Sequence, residues 1–509
     1  MASRKRSDQK SFLGIKANPT VFIGSLSIVS IAVITTIVIG EPAKEWFTST
    51  QSWVADSVGW VFIAVVNLTL FFALFLGFGK FGKIRIGGVT AKPEFTYGGW
   101  FSMLFSAGMG IGLLFWSVAE PVFHFSENPF LIDATDPLEE ARTAMSVTFL
   151  HWGFHAWGLY AVVGAALAYF TFNRKLPLTI RSIFHPLFGN KIYGPLGDAI
   201  DILAVVATIF GLATSLGLGV QQVNAELEYL FGVENSVTVQ VILIIVITFF
   251  ATLSLLLGLD KGIRVLSEWN MRLAMLLLLF VIVIGPTIFI FKSFFSNIGD
   301  YLNRFFELSL STNAYHENSD WQASWTIFYW AWWIAWSPFV GLFIARISKG
   351  RTLREFILSV LLVPTTITFL WLTAFGGSAI YQELIGNTAI NEAVNENIAT
   401  ALYYLLEQYP MASVSSFLTV ILVTSFFITS SDSGSYVVDT LTSGGRHDAP
   451  KGQKIFWASM EGLIAAALLI GGGLTALQTA SILTGLPFAL VIVVMCYSFY
   501  KALKEDTDL

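Results

Sequence analysis

Apolar residues in this chain do not alternate in short stripes; they run on for twenty positions and more, time after time, with most of the charge confined to the segments between. Each run is long enough to cross a hydrocarbon layer of roughly 30 Å as a helix, and a helix satisfies its own backbone hydrogen bonds in that medium. The pattern predicts twelve spans: residues 20–40, 58–78, 99–120, 142–171, 196–219, 236–258, 266–292, 322–346, 355–378, 413–440, 455–474 and 476–501. The fold class is all-α, a polytopic membrane protein.

Composition agrees. With 55% hydrophobic and 12% charged residues among 509, the chain has too few polar groups to cover a soluble globule. The basic residues are strongly sided across the predicted spans. Lys44, Arg142, Lys292 and Arg304 fall on one face, and the other 25 of the 29 fall on the opposite face with both termini. Positive loops stay cytoplasmic, so both termini are expected there, in a cell membrane crossed an even number of times. The first run follows a basic segment (Arg4, Lys5, Arg6, Lys10, Lys16) and lacks a small-residue cleavage pattern, so it reads as a retained span. The single cysteine, Cys496, excludes an intrachain disulfide and a thiolate metal cluster. No basic aromatic stripe and no phosphate-cradling glycine motif argues for nucleic acid or nucleotide. A membrane enzyme would need a buried acid–base pair or metal cluster, and a channel would want charge rings or carbonyl filters; the sequence displays neither.

Four segments carry candidate chemistry. The third span holds Gly108, Gly110 and Gly112 around Met109, within Ser106-Ala-Gly-Met-Gly-Ile-Gly. Glycine at alternate positions weakens a helix by about 1 kcal/mol each and lets backbone unwind against a ligand, although Gly108 and Gly112 also suit close helix packing. In the eighth span Tyr329, Trp332, Trp333 and Trp336 fall at i, i+3, i+4 and i+7 on one helical face. Trp321 and Trp325 fit an interfacial aromatic belt, whereas Trp332 to Trp336 lie roughly 16 to 22 Å deeper. Pro338 is expected to break the helix beside them. Rings facing one cavity attract a cation that cannot donate hydrogen bonds, such as a quaternary ammonium; the alternative is core packing. Trp152, Trp157 and Tyr160 of the fourth span offer a second wall. His151 and His155, four apart, lack the Glu of a zinc motif and read as a structural pair. The tenth span carries Thr429-Ser-Ser-Asp432-Ser-Gly-Ser435, a dense set of hard oxygens suited to Na⁺ or a polar path. Glu120, Asp198 and Asp201 lie near span ends, where water is their expected partner.

Together these segments resemble the betaine/choline/carnitine transporter family over essentially all twelve spans, with the aromatic eighth span running into Ser337-Pro338-Phe-Val-Gly-Leu-Phe-Ile-Ala-Arg346 as the signature. The resemblance implies a LeuT-like core of two inverted five-helix repeats, residues 99–292 and 321–502. Around it lie a cytoplasmic N-terminus (1–19), two peripheral spans (20–98), an external amphipathic connection (293–320) and a short cytoplasmic C-terminus (503–509). It further implies a substrate box of Trp152, Trp157, Tyr160, Trp332, Trp333 and Trp336 with Phe328 nearby, beside Gly108, Gly110 and Gly112. A Na⁺ site would use carbonyls of Ser106, Met109 and Phe426 and the hydroxyls of Thr429 and Ser430. A second Na⁺ site draws on two threonines a turn apart; Thr208 is retained, but Leu212 stands at the other position.

The Gly-Met-Gly-Ile-Gly form is similar to that of Na⁺-coupled glycine betaine carriers. The expected function is Na⁺ symport of a betaine-type compatible solute by alternating access, without a cofactor. Choline, carnitine, ectoine or dimethylsulfoniopropionate, carried by exchange without Na⁺, is the alternative. The expected partners are that solute, Na⁺ and lipid, in a homotrimer as is common in the family. Because the chain stops at Leu509, without the long basic tail of osmosensing members, uptake is expected without tail-dependent osmotic activation.

Overall fold

The computed structural model describes residues 16–40, 42–108, 110–130, 136–258, 262–314, 319–386, 388–446 and 450–507. Among these, every regular element is helical apart from one isolated antiparallel bridge between Arg85 and Thr352. The helices that matter here are α1 (Pro19–Ile39), α2 (Pro42–Phe78), α3 (Tyr97–Gly108), α4 (Gly110–Ser126), α5 (Pro137–Trp152), α6 (Phe154–Phe172), α7 (Pro195–Phe231), α8 (Val237–Leu257), α9 (Arg264–Ile284), α10 (Thr287–Asn303), α11 (Phe328–Arg346), α12 (Leu353–Leu372), α13 (Ala412–Thr442) and α14 (Lys451–Thr507). Ten of the described helical stretches are long and apolar enough to cross a membrane, or eleven when the bent pair α3 and α4 counts as one span.

Local chemistry sets the helix ends. Asn18 caps α1 by accepting from the amides of Thr20 and Val21, with Pro19 at the first helical position. Asp136 and Pro137 repeat that device at α5. Thr352 and Glu355 form a reciprocal capping box at α12. At the other end of α7, Gly232 takes the left-handed conformation that closes the helix.

Spans divide into a core and a skirt. Only 28% of the apolar stretch of α1 is buried, and 39% of α8 and of α9, whereas α11 is buried from Phe328 to Ala345. The skirt helices show large apolar side chains outward, among them Ile31, Ile34, Ile245, Phe249 and Leu279, as a lipid-facing surface requires.

Several breaks differ from the sequence expectation. The second helix begins at Pro42, well before residue 58. Its 37 residues make a rod of roughly 55 Å, longer than a hydrocarbon core, so hydropathy marks the part in lipid and not the helix. The expected seventh span ends early at Gly285–Pro286, and α10 starts afresh in what was expected to be partly external connection. Gly153 interrupts the fourth span between α5 and α6, and five-residue π-helical turns occupy Ala323–Ile327 and Thr373–Gly377. The last two expected spans form one 57-residue element with non-helical backbone at Gly472 and Gly473, where Gly473 has φ 59°.

Pro338 corrects the expectation of a break. Helix α11 runs straight through it. Proline removes the amide that would bond the carbonyl of Ile334, four residues back, and the hydroxyl of Ser337 donates to that carbonyl at 2.8 Å instead. Cys496 lies buried in α14.

Candidate functional site

The aromatic positions converge as their spacing predicts. On α11 the rings of Trp332 and Trp333 stack at 4.7 Å, and Trp336 lies 5.9 and 6.2 Å from them. Trp152, at the end of α5, meets Trp333 edge-on at 5.1 Å and Trp332 at 6.4 Å. From α6, Tyr160 reaches Trp333 at 6.4 Å and Trp157 at 5.7 Å, and Phe328 stacks on Trp332 at 5.4 Å. All seven side chains are buried. Edge-on contacts between positive ring edges and negative faces stabilise such a cluster by about 0.5–1.5 kcal/mol per pair beyond burial.

The glycine motif forms the floor. A Cβ at Gly108 would stand 2.6 Å from the six-membered ring of Trp157, and one at Gly112 would stand 2.7 Å from Trp332 and 3.1 Å from Trp152. A Cβ at Gly110 would approach Phe426 and the hydroxyl of Ser430 at 3.3 and 3.4 Å. Only hydrogen fits at the first two positions. The motif therefore serves the aromatic cluster on one side and α13 on the other. Helices α3 and α4 meet there at a 62° bend, where the sequence places the unwinding; Met109 itself lies outside the described residues.

Behind the glycines the expected ion ligands assemble in part. The hydroxyls of Ser106 and Thr429 are 3.2 Å apart, and Thr429 lies 3.0 Å from the Phe426 carbonyl. Ser430 is buried with no hydrogen-bond partner among the described residues. Asn270 of α9, which sequence reasoning missed, donates to Thr429 at 3.0 Å and to the Ser425 carbonyl at 3.1 Å. The Thr208 hydroxyl is buried and unpaired on α7, and Leu212 one turn on packs its methyls where a Cβ of Gly434 would stand.

The carboxylates depart from expectation. Glu120 is fully buried instead of solvated, and its Oε2 accepts from Trp152 Nε1 at 2.6 Å and from the Tyr329 hydroxyl at 2.5 Å. Its Oε1 lies 2.7 Å from His151 Nδ1 and 3.3 Å from His124 Nε2. Glu120 thus holds two rings of the aromatic cluster in register, Tyr329 among them, 6.3 and 5.8 Å from Trp332 and Trp333 on the shared face of α11. Asp198 and Asp201 grip Arg181, Asp198 at 2.7 Å. The two histidines serve separate networks, since His155 meets Asn67 at 3.2 Å and stacks on Phe305. Trp321 and Trp325 are buried against His124, not displayed as a lipid belt. Two further ring anchors were invisible in the sequence: Trp332 Nε1 donates to the Gly211 carbonyl at 3.3 Å, and Trp333 Nε1 to the His151 carbonyl at 2.9 Å. No local pattern announces a carbonyl acceptor on another helix.

Known proteins match the sequence over nearly its whole length. Residues 20–508 match the betaine/carnitine/choline family transporter profile. The chain is similar to a glycine betaine/proline/choline transporter of Vibrio parahaemolyticus, 45% identical over 97% of this chain and 92% of the relative. It is also similar to the glycine betaine transporter OpuD of Bacillus subtilis, 44% identical over 97% and 96%, and to the high-affinity choline transport protein of Escherichia coli, 42% identical over 96% and 73%. These relatives are transporters and not enzymes. With a family match over nearly the whole chain and multiple apolar spanning helices around a buried aromatic cluster, this multi-pass membrane protein belongs to the betaine/carnitine/choline transporter family.

Proposed function

We propose that this protein takes up glycine betaine by Na⁺ symport, using alternating access around the aromatic cluster. The observation that carries the reading is the contact between two chemistries. The rings of Trp152, Trp157 and Trp332 touch one side of the glycine bend, and Phe426 and Ser430 touch the other. A solute ordered by the rings and an ion held by Ser106, Thr429 and Ser430 would therefore press on the same backbone. That is a physical route for coupling their binding.

A carboxylate-bearing solute suits the polar inventory of the rings. Trp157 Nε1, Trp336 Nε1 and the Tyr160 hydroxyl are buried without a partner among the described residues. Three orphaned donors cost about 1–3 kcal/mol each when left dry, and the carboxylate of a zwitterion satisfies them while its methylated ammonium faces the ring surfaces. Choline offers no carboxylate. The relative from Escherichia coli, named for choline, keeps choline as the second reading.

The wider architecture of the proposal is twelve spans. Dividing α14 at Gly472 and Gly473 adds one crossing to the eleven. Residues 99–292 and 321–502 are then inverted repeats, and the basic loops put both termini in the cytoplasm. Radiolabelled uptake into proteoliposomes, with external Na⁺ exchanged for K⁺ and with choline, carnitine, ectoine and dimethylsulfoniopropionate as competitors, tests it. Trp332→Leu and Trp336→Leu are expected to weaken glycine betaine binding roughly 30-fold, the worth of one desolvated cation–π contact of about 2 kcal/mol. Affinities within twofold of wild type would remove the cage, and equal uptake in K⁺ would remove the coupling.

A further inference from the structure

We propose that Glu120, His124 and His151 form a binding site for a first-row divalent transition metal, typified by Zn²⁺, distinct from the aromatic cage and from the Na⁺ ligands. One coordinating atom from each side chain, Glu120 Oε1, His124 Nε2 and His151 Nδ1, can be chosen so that all three lie within 4.8 Å of one another. Every one of these side chains is fully buried. Two imidazoles and a carboxylate are the ligand set of open zinc sites, which keep a fourth position for water.

The separations need little change. Donors about 2.1 Å from a tetrahedral ion stand roughly 3.4 Å apart. His124 Nε2 is 3.3 Å from Glu120 Oε1 already, and His151 Nδ1 at 2.7 Å would withdraw by a fraction of an ångström. The second observation is that Nδ1 of the completely buried His124 has no hydrogen-bond partner among the described residues, while Nε2 has only the 3.3 Å contact with Glu120 Oε1. A buried imidazole this poorly satisfied is costly to the fold, and coordination of Nε2 is a use that its position beside two other donors allows.

Supporting contacts are in place around the ligands. His151 Nε2 faces the Thr326 hydroxyl at 3.0 Å, which fixes the ring and leaves Nδ1 for the ion. Glu120 is held through its other oxygen by Trp152 and Tyr329, leaving Oε1 free to point at the site. Such outer partners are what orient a metal ligand and raise its basicity. The rings of Trp325 and Trp321, 4.6 and 5.2 Å from His124, shield the position from bulk water. Oxygen-seeking ions such as Mg²⁺ are disfavoured by the two nitrogens. The assignment stands whichever solute the cage accepts, because its ligands are not ring faces of the cage.

Isothermal titration of Zn²⁺ into the full chain in detergent tests it, beside titration of the His124→Gln variant. Gln keeps the size and polarity of the side chain, and its thermal unfolding midpoint reports whether the fold survives. One ion per chain is expected, with at least about tenfold weaker binding in His124→Gln and no displacement by excess Mg²⁺. Co²⁺ bound to the wild-type chain should give the visible d–d absorption of a four-coordinate site, a readout that needs no variant. Absence of Zn²⁺ binding, or Zn²⁺ affinity within about twofold of wild type in a folded His124→Gln protein, overturns the site.

Discussion

Adding one methyl group at Gly112 is the sharpest probe of the glycine floor. The Cβ of Gly112→Ala would lie 2.7 Å from Trp332 and 3.1 Å from Trp152, well inside van der Waals contact. Neither ring can retreat without disturbing a neighbour. Trp332 is stacked on Trp333 at 4.7 Å and on Phe328 at 5.4 Å, and Trp152 is tethered to Glu120 at 2.6 Å. Overpacking of this kind costs about 1–3 kcal/mol. If the strain is relieved by displacing the rings, the whole cost falls on solute binding, which corresponds to roughly 5- to 140-fold in affinity. Gly98→Ala is the control, because its Cβ would meet nothing within 4 Å. Binding of glycine betaine to the purified protein, followed by tryptophan fluorescence or calorimetry, should separate the two variants. A Gly112→Ala protein that binds within twofold of wild type and unfolds at the same temperature would refute the close-approach argument.

Three further outcomes follow from other contacts. Arg181→Met strands Asp201 buried and unpaired, so a destabilisation of about 3–5 kcal/mol is expected, seen as a lower thermal midpoint in detergent; Arg181→Met with Asp201→Asn should recover part of it. Ser337→Ala exposes the Ile334 carbonyl that Pro338 already leaves without an amide, costing about 1–3 kcal/mol by the same measurement, whereas Ser337→Thr should be close to neutral. Thr429→Val removes the hydroxyl that Ser106 and Asn270 both meet, and the Na⁺ concentration for half-maximal uptake should rise about tenfold or more; an unchanged Na⁺ dependence would take Thr429 out of the ion site.

That the chain is helical and crosses a membrane many times is legible in the sequence because lipid imposes one rule on every crossing segment, although twelve spans are expected and the described helices give ten or eleven. Breaks are less legible. Gly153 and the π turn at Ala323–Ile327 have no local signature, and they arise where tertiary contacts over-rule the regular ladder. Pro338 misleads in the opposite sense, since the repair comes from the neighbouring Ser337. In the site, ring positions on one face of α11 follow from helical spacing, and so does the meeting of Ser106 with Thr429 through the family resemblance. Glu120 could not be read correctly from its place near the end of a span. Its burial depends on His124 one turn along, on α5, and on Tyr329 some two hundred positions later, and no linear pattern joins those residues.

The lone thiol of Cys496 has an experimental consequence. It is buried in α14, so it is sheltered from bulky maleimide or nitroxide reagents applied to the folded protein. The natural chain is thus close to a ready background for paired reporter labels. New cysteines at exposed sites such as Tyr97 and Met411 could carry the probes without first stripping the protein of its own sulfur chemistry. Distances between them, with and without glycine betaine and Na⁺, would then test whether the proposed ligands change the arrangement of the helices.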